Sequence, residues 1–181
     1  MSGVGRLVAI CVVSALTTAG CSGDDSPGPA VLASLSAEPS PSRLVSAVPS
    51  ALTPQGAADF ARYFFQVLDA AYNTGDTSTL EAISAPGCKV CDRYISSIKE
   101  IYGRGGRYKG EETSVVFAEA PAFEGDVASV EVIVTFPPQM ELAPDGSVAS
   151  TSPGRTRATG ELSLRKSRTA WSVIDFTLSR P

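Results

Sequence analysis

Apolar residues recur at three- and four-residue steps over residues 53–76, and this stretch organises the folded part of the chain. Thr53 suits the N-cap of a helix, Pro54 its first position and Gly75 its end. Phe64 and Leu68 lie at the centre of the apolar face, so we expect both to be deeply buried against a sheet. The face comprises Ala57, Phe60, Ala61, Tyr63, Phe64, Phe65, Val67, Leu68, Ala71 and Tyr72.

Two shorter helices are predicted next. The segment TSTLEAIS favours a short helix that turns Leu80 and Ile83 inward. Apolar positions over residues 88–102 predict a third helix, and we expect Gly103 to terminate it as the C′ residue.

Beyond residue 110 the apolar period changes to two, which is typical of half-buried strands. Residues 139–154 are polar and contain Asp145-Gly146, which indicates a loop or a protruding hairpin. Helices followed by antiparallel strands predict an α+β domain over residues 53–181, with the helices packed on a curved antiparallel sheet. The predicted strands cover residues 113–118, 128–136, 157–165 and 170–178.

The first 20 residues have the layout of a secretory signal. Arg6 gives a positive amino end, and residues 7–16 form an apolar run shorter than the ~20 residues of a membrane-spanning helix. The following Thr18-Ala19-Gly20-Cys21 resembles the lipobox of bacterial lipoproteins, in which the cysteine is acylated and becomes the mature N-terminus. We therefore expect a signal peptide over residues 1–20, lipidation of Cys21, and attachment to the extracytoplasmic face of the cell membrane. The alternative is an ordinary secretory signal that leaves Cys21 as a spare thiol.

Residues 21–52 differ in composition from the rest of the chain. They combine proline with Ser, Gly and Ala and contain few large apolar side chains. Such a segment buries too little surface to offset the entropy of ordering it. We expect it to act as a flexible linker.

Composition limits the possible chemistry. The chain has 181 residues, a net charge of −4 and no histidine. A mildly acidic chain with no long basic run is a poor nucleic-acid binder. Without histidine it lacks the commonest general base and metal ligand, and we expect neither a metal nor another cofactor.

The CxxC motif Cys88-Lys89-Val90-Cys91 has three possible roles. A redox centre would place Cys88 at a helix N-terminus, but no apolar strand leads into the motif. A zinc site needs about four Cys or His ligands, which the mature domain does not supply. An extracytoplasmic location favours a structural disulfide between Cys88 and Cys91, with the other two roles left open.

Several short motifs resemble known families. The segment AYNTGDTSTL and the terminal pattern Trp171-x-Val173-x-x-Phe176 look like the nuclear transport factor 2-like superfamily. That resemblance implies a cone in which a curved sheet wraps a long helix and leaves a pocket at its wide end. The lipobox and linker are similar to those of an actinobacterial lipoprotein family of unknown function, as are the following motifs: Thr53-Pro54-x-Gly56, Thr74-Gly75-Asp76 and Ser84-x-Pro86-Gly87-Cys88-x-x-Cys91.

Carboxylates are the remaining candidates for catalysis in such a pocket. A buried carboxyl group beside a tyrosine can abstract a proton next to a carbonyl. Asp59, Asp69 and Glu131 fall on polar faces and are expected to be solvated charges, which leaves Asp175 as a weak candidate. The groups considered are Asp59, Asp69, Glu131 and Asp175, with Tyr63 and Tyr72 as possible donors to an oxyanion.

A basic cluster, Arg104, Arg107 and Lys109, follows the third helix and is interpreted as a solvated turn, with anion binding as the alternative.

Because the sequence shows no group of catalytic residues, the leading hypothesis is a non-catalytic binding or scaffolding module. Its partner would be an envelope component, another protein or a small apolar ligand. The alternative is a pocket enzyme of the isomerase or cyclase type that uses a carboxylate.

Overall fold

The computed structural model describes residues 47–121 and 123–179. Three helices precede the strands, which confirms the α+β class. The helices are α1 (Pro54–Thr74), α2 (Ser78–Ile83) and α3 (Lys89–Gly103). The strands are β1 (Arg107–Gly110), β2 (Ser114–Glu119), β3 (Phe123–Glu124), β4 (Val127–Phe136), β5 (Gln139–Leu142), β6 (Val148–Ser152), β7 (Arg155–Lys166) and β8 (Trp171–Leu178).

Helix α1 begins and ends where its sequence predicts. The Thr53 side chain accepts a hydrogen bond from the Gly56 N–H at 3.1 Å, and the helix closes at Gly75 in the left-handed conformation. Phe64 and Leu68 are buried, as expected from their place on the apolar face. Burial extends around most of the helix because both sheets and α2 contact it.

The packed part of the chain begins before α1. The Ala51 carbonyl accepts a hydrogen bond from the Trp171 indole N–H at 2.9 Å, and Leu52 packs against the core. A Cβ atom on Gly56 would lie 1.9 Å from the Ala51 carbonyl oxygen, so only glycine permits this close approach. The last residues of the predicted linker therefore belong to the folded domain.

The larger sheet has the order β2-β4-β7-β8, and β3 pairs with β4; every strand pair is antiparallel. Alternate side chains of β4 point toward α1, as the two-residue period predicts. The inward set is fully buried, and the opposite face of the sheet is largely wet. The inward residues are Ala128, Val130, Val132 and Val134 of β4, Leu162 and Leu164 of β7, and Trp171, Val173 and Phe176 of β8.

A second sheet, with the order β1-β5-β6, was only partly anticipated. Residues 139–154 form the expected hairpin, which turns at Asp145-Gly146. Residues 107–110 were expected to form a solvated turn, but they form strand β1 against β5. Their charged, glycine-containing sequence carries no strand pattern, and the pairing with β5 supplies the hydrogen bonds that make it a strand.

The end of α3 also differs from the expectation. The helix continues through Gly103, and its capping residue is Arg104. Gly105 takes the positive φ of 81° that was expected at Gly103. The predicted position of the C′ glycine is therefore wrong by two residues. Gly103 and Gly105 both lie near the end of the helix, and the sequence does not show which of them takes the left-handed conformation.

Candidate ligand-binding pocket

A cavity of about 360 Å³ opens where α1 and α3 meet the ends of both sheets. Its inner part is formed by Leu68 and Asp69 of α1, both of which are buried. Aromatic and aliphatic side chains form the walls, and polar side chains lie toward the rim. The remaining lining residues are Tyr72, Tyr94, Thr113, Phe136, Pro137, Gln139, Ser152, Pro153, Gly154, Arg155 and Leu178.

Asp69 is the most unusual group in this cavity, because it is a carboxyl group that is only 7% exposed. One carboxyl oxygen accepts a hydrogen bond from the Thr113 N–H at 2.7 Å, and the other accepts one from the Thr113 hydroxyl at 2.7 Å. Burial raises the pKa of Asp69, although both hydrogen bonds from Thr113 act in the opposite direction. The carboxyl group therefore ties the start of β2 to α1 and holds a proton more readily than a solvated aspartate.

Two tyrosines form one wall of the cavity. The ring of Tyr72 packs edge-to-face on Tyr94, with 6.4 Å between centroids, and on Tyr108, with 4.7 Å. Burial raises the pKa of both Tyr72 and Tyr94, so both hydroxyl groups are neutral near pH 7. Neutral phenols offer a ligand an aromatic surface and a hydrogen-bonding hydroxyl group, but not a phenolate.

The opposite wall includes the turn that joins β6 to β7. Gly154 has a φ of 74°, and a Cβ atom there would lie 2.6 Å from the Phe136 carbonyl oxygen. Glycine thus lets this turn lie directly against the end of β4. Arg155, the first residue of β7, is exposed at the rim.

Of the four carboxylates that the sequence suggests, three lie outside the cavity. Asp59 is partly exposed and pairs with Arg62, and Glu131 is exposed on the outer face of β4, as expected for solvated charges. Asp175 is also exposed; its carboxyl group accepts a hydrogen bond from the Phe176 N–H, and it does not line the cavity.

The interpretation of Asp69 as a solvated charge is wrong, because this residue lies inside the cavity. It follows Phe65 by four positions and precedes Tyr72 by three, so all three share one side of α1. That spacing is the sequence signal that would have identified it. Of the two tyrosines considered, Tyr72 lines the cavity and Tyr63 is buried elsewhere in the core.

Cys88 and Cys91 form a disulfide at the start of α3, with their Cα atoms 5.3 Å apart. Both residues are at most 1% exposed. The sulfur of Cys88 also accepts the Cys91 N–H at 3.3 Å, which caps the helix. This placement suits a structural bridge, since a redox-active cysteine needs access to its substrate.

The basic cluster does not form a concentrated anion site. Arg104 pairs with Glu100 at 3.0 Å and also with Glu141 on β5, while Arg107 and Lys109 lie on β1. Arg104 is thus engaged by two carboxylates, which favours the structural role of this cluster.

The described residues contain neither a candidate membrane-spanning helix nor a cluster of metal ligands. No helix in residues 47–121 and 123–179 is long and apolar enough to cross a membrane. The same residues contain no group of three or more His, Cys, Asp or Glu side chains placed to hold a metal ion. The predicted lipidation site Cys21 lies outside the described residues.

Several solved structures are similar to this chain at low sequence identity. The intermembrane space region of the chloroplast protein ARC6 has a TM-score of 0.53 at 13% identity, covering 72% of this chain and 99% of that chain. A cystatin-like protein from Caulobacter vibrioides has a TM-score of 0.40 at 18% identity, covering 68% of this chain and 89% of that chain. A variant of the chain Rd1NTF2_05 has a TM-score of 0.36 at 13% identity, covering 67% of this chain and 97% of that chain.

The likeness to the ARC6 region concerns the fold alone, which in this chain is an α+β fold with antiparallel sheets. No curated protein matches the sequence significantly. The model of one protein family matches residues 39–174, which is most of the chain. The chain therefore belongs to DUF6318, a family of unknown function.

Proposed function

We propose that this protein is a lipid-anchored binding module on the extracytoplasmic face of the cell membrane, and that its domain holds a small, largely apolar molecule. The observation that carries the proposal is the cavity of about 360 Å³. This volume is within the range typical of small-molecule sites, which are mostly apolar with a few polar groups that orient the ligand. The lining of Tyr72, Tyr94, Phe136 and Leu178, with Asp69 among them, has this character.

Several features favour binding over catalysis. Both oxygens of the Asp69 carboxyl group accept hydrogen bonds from Thr113, and these hydrogen bonds weaken it as a general base. The raised pKa values of Tyr72 and Tyr94 make their hydroxyl groups poor proton donors in an acid–base step. The described residues also contain no cluster of groups placed to hold a metal ion.

Native mass spectrometry of the full chain, purified gently from membranes, tests ligand binding. We expect an added mass that disappears on denaturation and is reduced in Ser152→Trp, which places an indole at the cavity rim. Thr151→Trp is the matched control, because Thr151 is exposed on the same strand and does not line the cavity. Equal ligand content in both variants, or none in the wild type, would contradict binding in this cavity.

The anchor is supported by the signal-like residues 1–20 followed by Cys21, and by the proline-rich linker that separates Cys21 from the domain. Cys21→Ser should shift the protein from the membrane fraction to the medium or leave it as an unprocessed precursor. Unchanged mass and unchanged membrane partitioning of this variant would refute the anchor.

One observation favours a second candidate, an isomerase-type or cyclase-type enzyme. Asp69, with its raised pKa, lies in the same cavity as two tyrosines, which is the combination that proton abstraction beside a carbonyl requires. The molecule released from the purified protein can be incubated with it in D₂O. Enzyme-dependent deuterium uptake that is lost in Asp69→Asn and retained in Asp175→Asn would favour catalysis over binding.

A further inference from the structure

Asp69 is a buried carboxyl group for which the described residues provide no counter-ion. Its hydrogen-bond donors both belong to Thr113, which is neutral. No lysine or arginine within residues 47–121 and 123–179 forms an ion pair with it. The nearby charge that affects it is Glu112, which has the same sign. A buried carboxylate without a cation is costly, and a cationic ligand would lower that cost.

The walls beside Asp69 also suit a cation. Tyr72, Tyr94 and Phe136 line the same cavity, and the faces of aromatic rings carry negative electrostatic potential that attracts ammonium groups. Edge-to-face packing on Tyr94 and Tyr108 fixes the ring of Tyr72. An aromatic wall next to a carboxylate is an arrangement that recognises organic amines. The rings contact the apolar part of the amine, and the carboxylate neutralises its ammonium charge.

Two other ligand chemistries have weaker support. An anionic ligand would be repelled by Asp69, and its only cationic partner in the described lining is Arg155, which is exposed at the rim and screened by solvent. A neutral ligand could exchange hydrogen bonds with Asp69, but it would bring no positive charge to compensate a buried carboxylate. A carboxylate that accepts from Thr113 still has lone pairs for an ammonium group.

We propose that the pocket selects an organic ammonium ion, with the protonated amine against Asp69 and an apolar body between Tyr72, Tyr94 and Phe136. This inference rests on the proposed binding function and specifies the class of ligand. Arg155 at the rim then disfavours a second positive charge at the outer end of the ligand.

Three probes with one phenyl ring and different end groups test this selectivity on the full chain. They are 2-phenylethylamine, 2-phenylethanol and 3-phenylpropanoate, titrated near pH 7 at constant ionic strength and followed by amide chemical shifts. We expect the amine to bind at least ~10-fold more tightly than the alcohol, which corresponds to ~1.4 kcal/mol. We expect the carboxylate probe to bind most weakly.

Variants assign the selectivity to Asp69. Asp69→Asn should bring the amine to the affinity of the alcohol and leave the alcohol unchanged, because it removes the charge and keeps the size. Asp175→Asn removes an exposed carboxylate outside the cavity, so it should keep the preference for the amine. The comparison of probes on the wild type remains decisive if Asp69→Asn does not fold.

The possible failures are distinguishable. Equal binding of amine and alcohol, with both lost in Ser152→Trp, would overturn the ammonium inference and leave the pocket as a binding site. A preference for the carboxylate that disappears in Arg155→Gln would overturn it in favour of an anion. Binding of none of the probes would also overturn it, whereas the proposed function fails only if native mass spectrometry finds no ligand in the cavity.

Discussion

The aromatic cluster around Phe65 gives the sharpest test of how the core is built. Phe65 is 1% exposed and packs edge-to-face on Phe64, Phe136 and Phe176, with centroid distances of 5.2, 6.2 and 5.4 Å. Truncating a buried phenylalanine to alanine costs ~3–5 kcal/mol, and the loss of three aromatic pairs places Phe65 toward the upper end of that range. We therefore expect Phe65→Ala to lose ~4–5 kcal/mol, near the upper end of the range for one cavity.

Urea denaturation monitored through Trp171 measures this loss. Trp171 is the single tryptophan of the chain and is buried beside Phe123. The matched control is Phe117→Ala, which makes the same truncation at a residue 38% exposed on the outer face of β2. We expect the control to lose ~1 kcal/mol or less, as is usual at the surface. A loss below ~2 kcal/mol for Phe65→Ala, or equal losses for the two variants, would refute the proposed role of Phe65.

Three further predictions concern Asp69, Gly56 and the disulfide. Burial raises the folded-state pKa of Asp69 above its unfolded value, so its contribution to stability is present at low pH and is lost as the pH rises through the folded pKa. Wild type should therefore gain stability relative to Asp69→Asn as the pH falls from 7 toward 4, and a constant difference in urea midpoint would contradict this. Gly56→Ala should lower the thermal midpoint by several degrees, because its Cβ atom would collide with the Ala51 carbonyl; an unchanged midpoint would show that the segment before α1 is not docked. The Cys88→Ser/Cys91→Ser variant should fold with a modest loss of stability, because a short loop constrains the unfolded chain little. Neither it nor the wild type should reduce insulin disulfides, and reductase activity lost in Cys88→Ser would identify a redox centre.

Local chemistry made much of the fold predictable. Thr53 and Gly75 mark the ends of α1 through capping interactions that depend on a few neighbouring residues, and the structure has both caps. Strand β4 is predictable because apolar and polar residues alternate along it, and its buried residues alternate with partly exposed or exposed ones from Val127 to Thr135. Strand β1 was missed because Arg107 and Lys109 give no apolar alternation, and only the pairing with β5 defines it.

The pocket was less predictable than the fold. The sequence indicates Tyr72 as a possible pocket residue, but its periodicity places Asp69 on a polar face. It also favours Asp175, which is exposed in the structure. A polar residue on α1 is solvated only if nothing covers that side of the helix. Thr113 covers Asp69, at a separation of 44 residues in the chain.

The sequence by itself determined the class of the domain, the extent of α1 and the alternation of the central strands. These properties depend on periodicity and on contacts between neighbouring residues, which a linear chain displays directly. Only the tertiary structure decided that the second sheet exists and that Asp69, Tyr94, Phe136 and Arg155 meet around one cavity. Those residues come from α1, α3, β4 and β7, so their proximity depends on how the sheets close on the helices. Because burial shifts the pKa of a carboxyl group only after this closure, the chemistry of the pocket is a property of the fold rather than of any one segment.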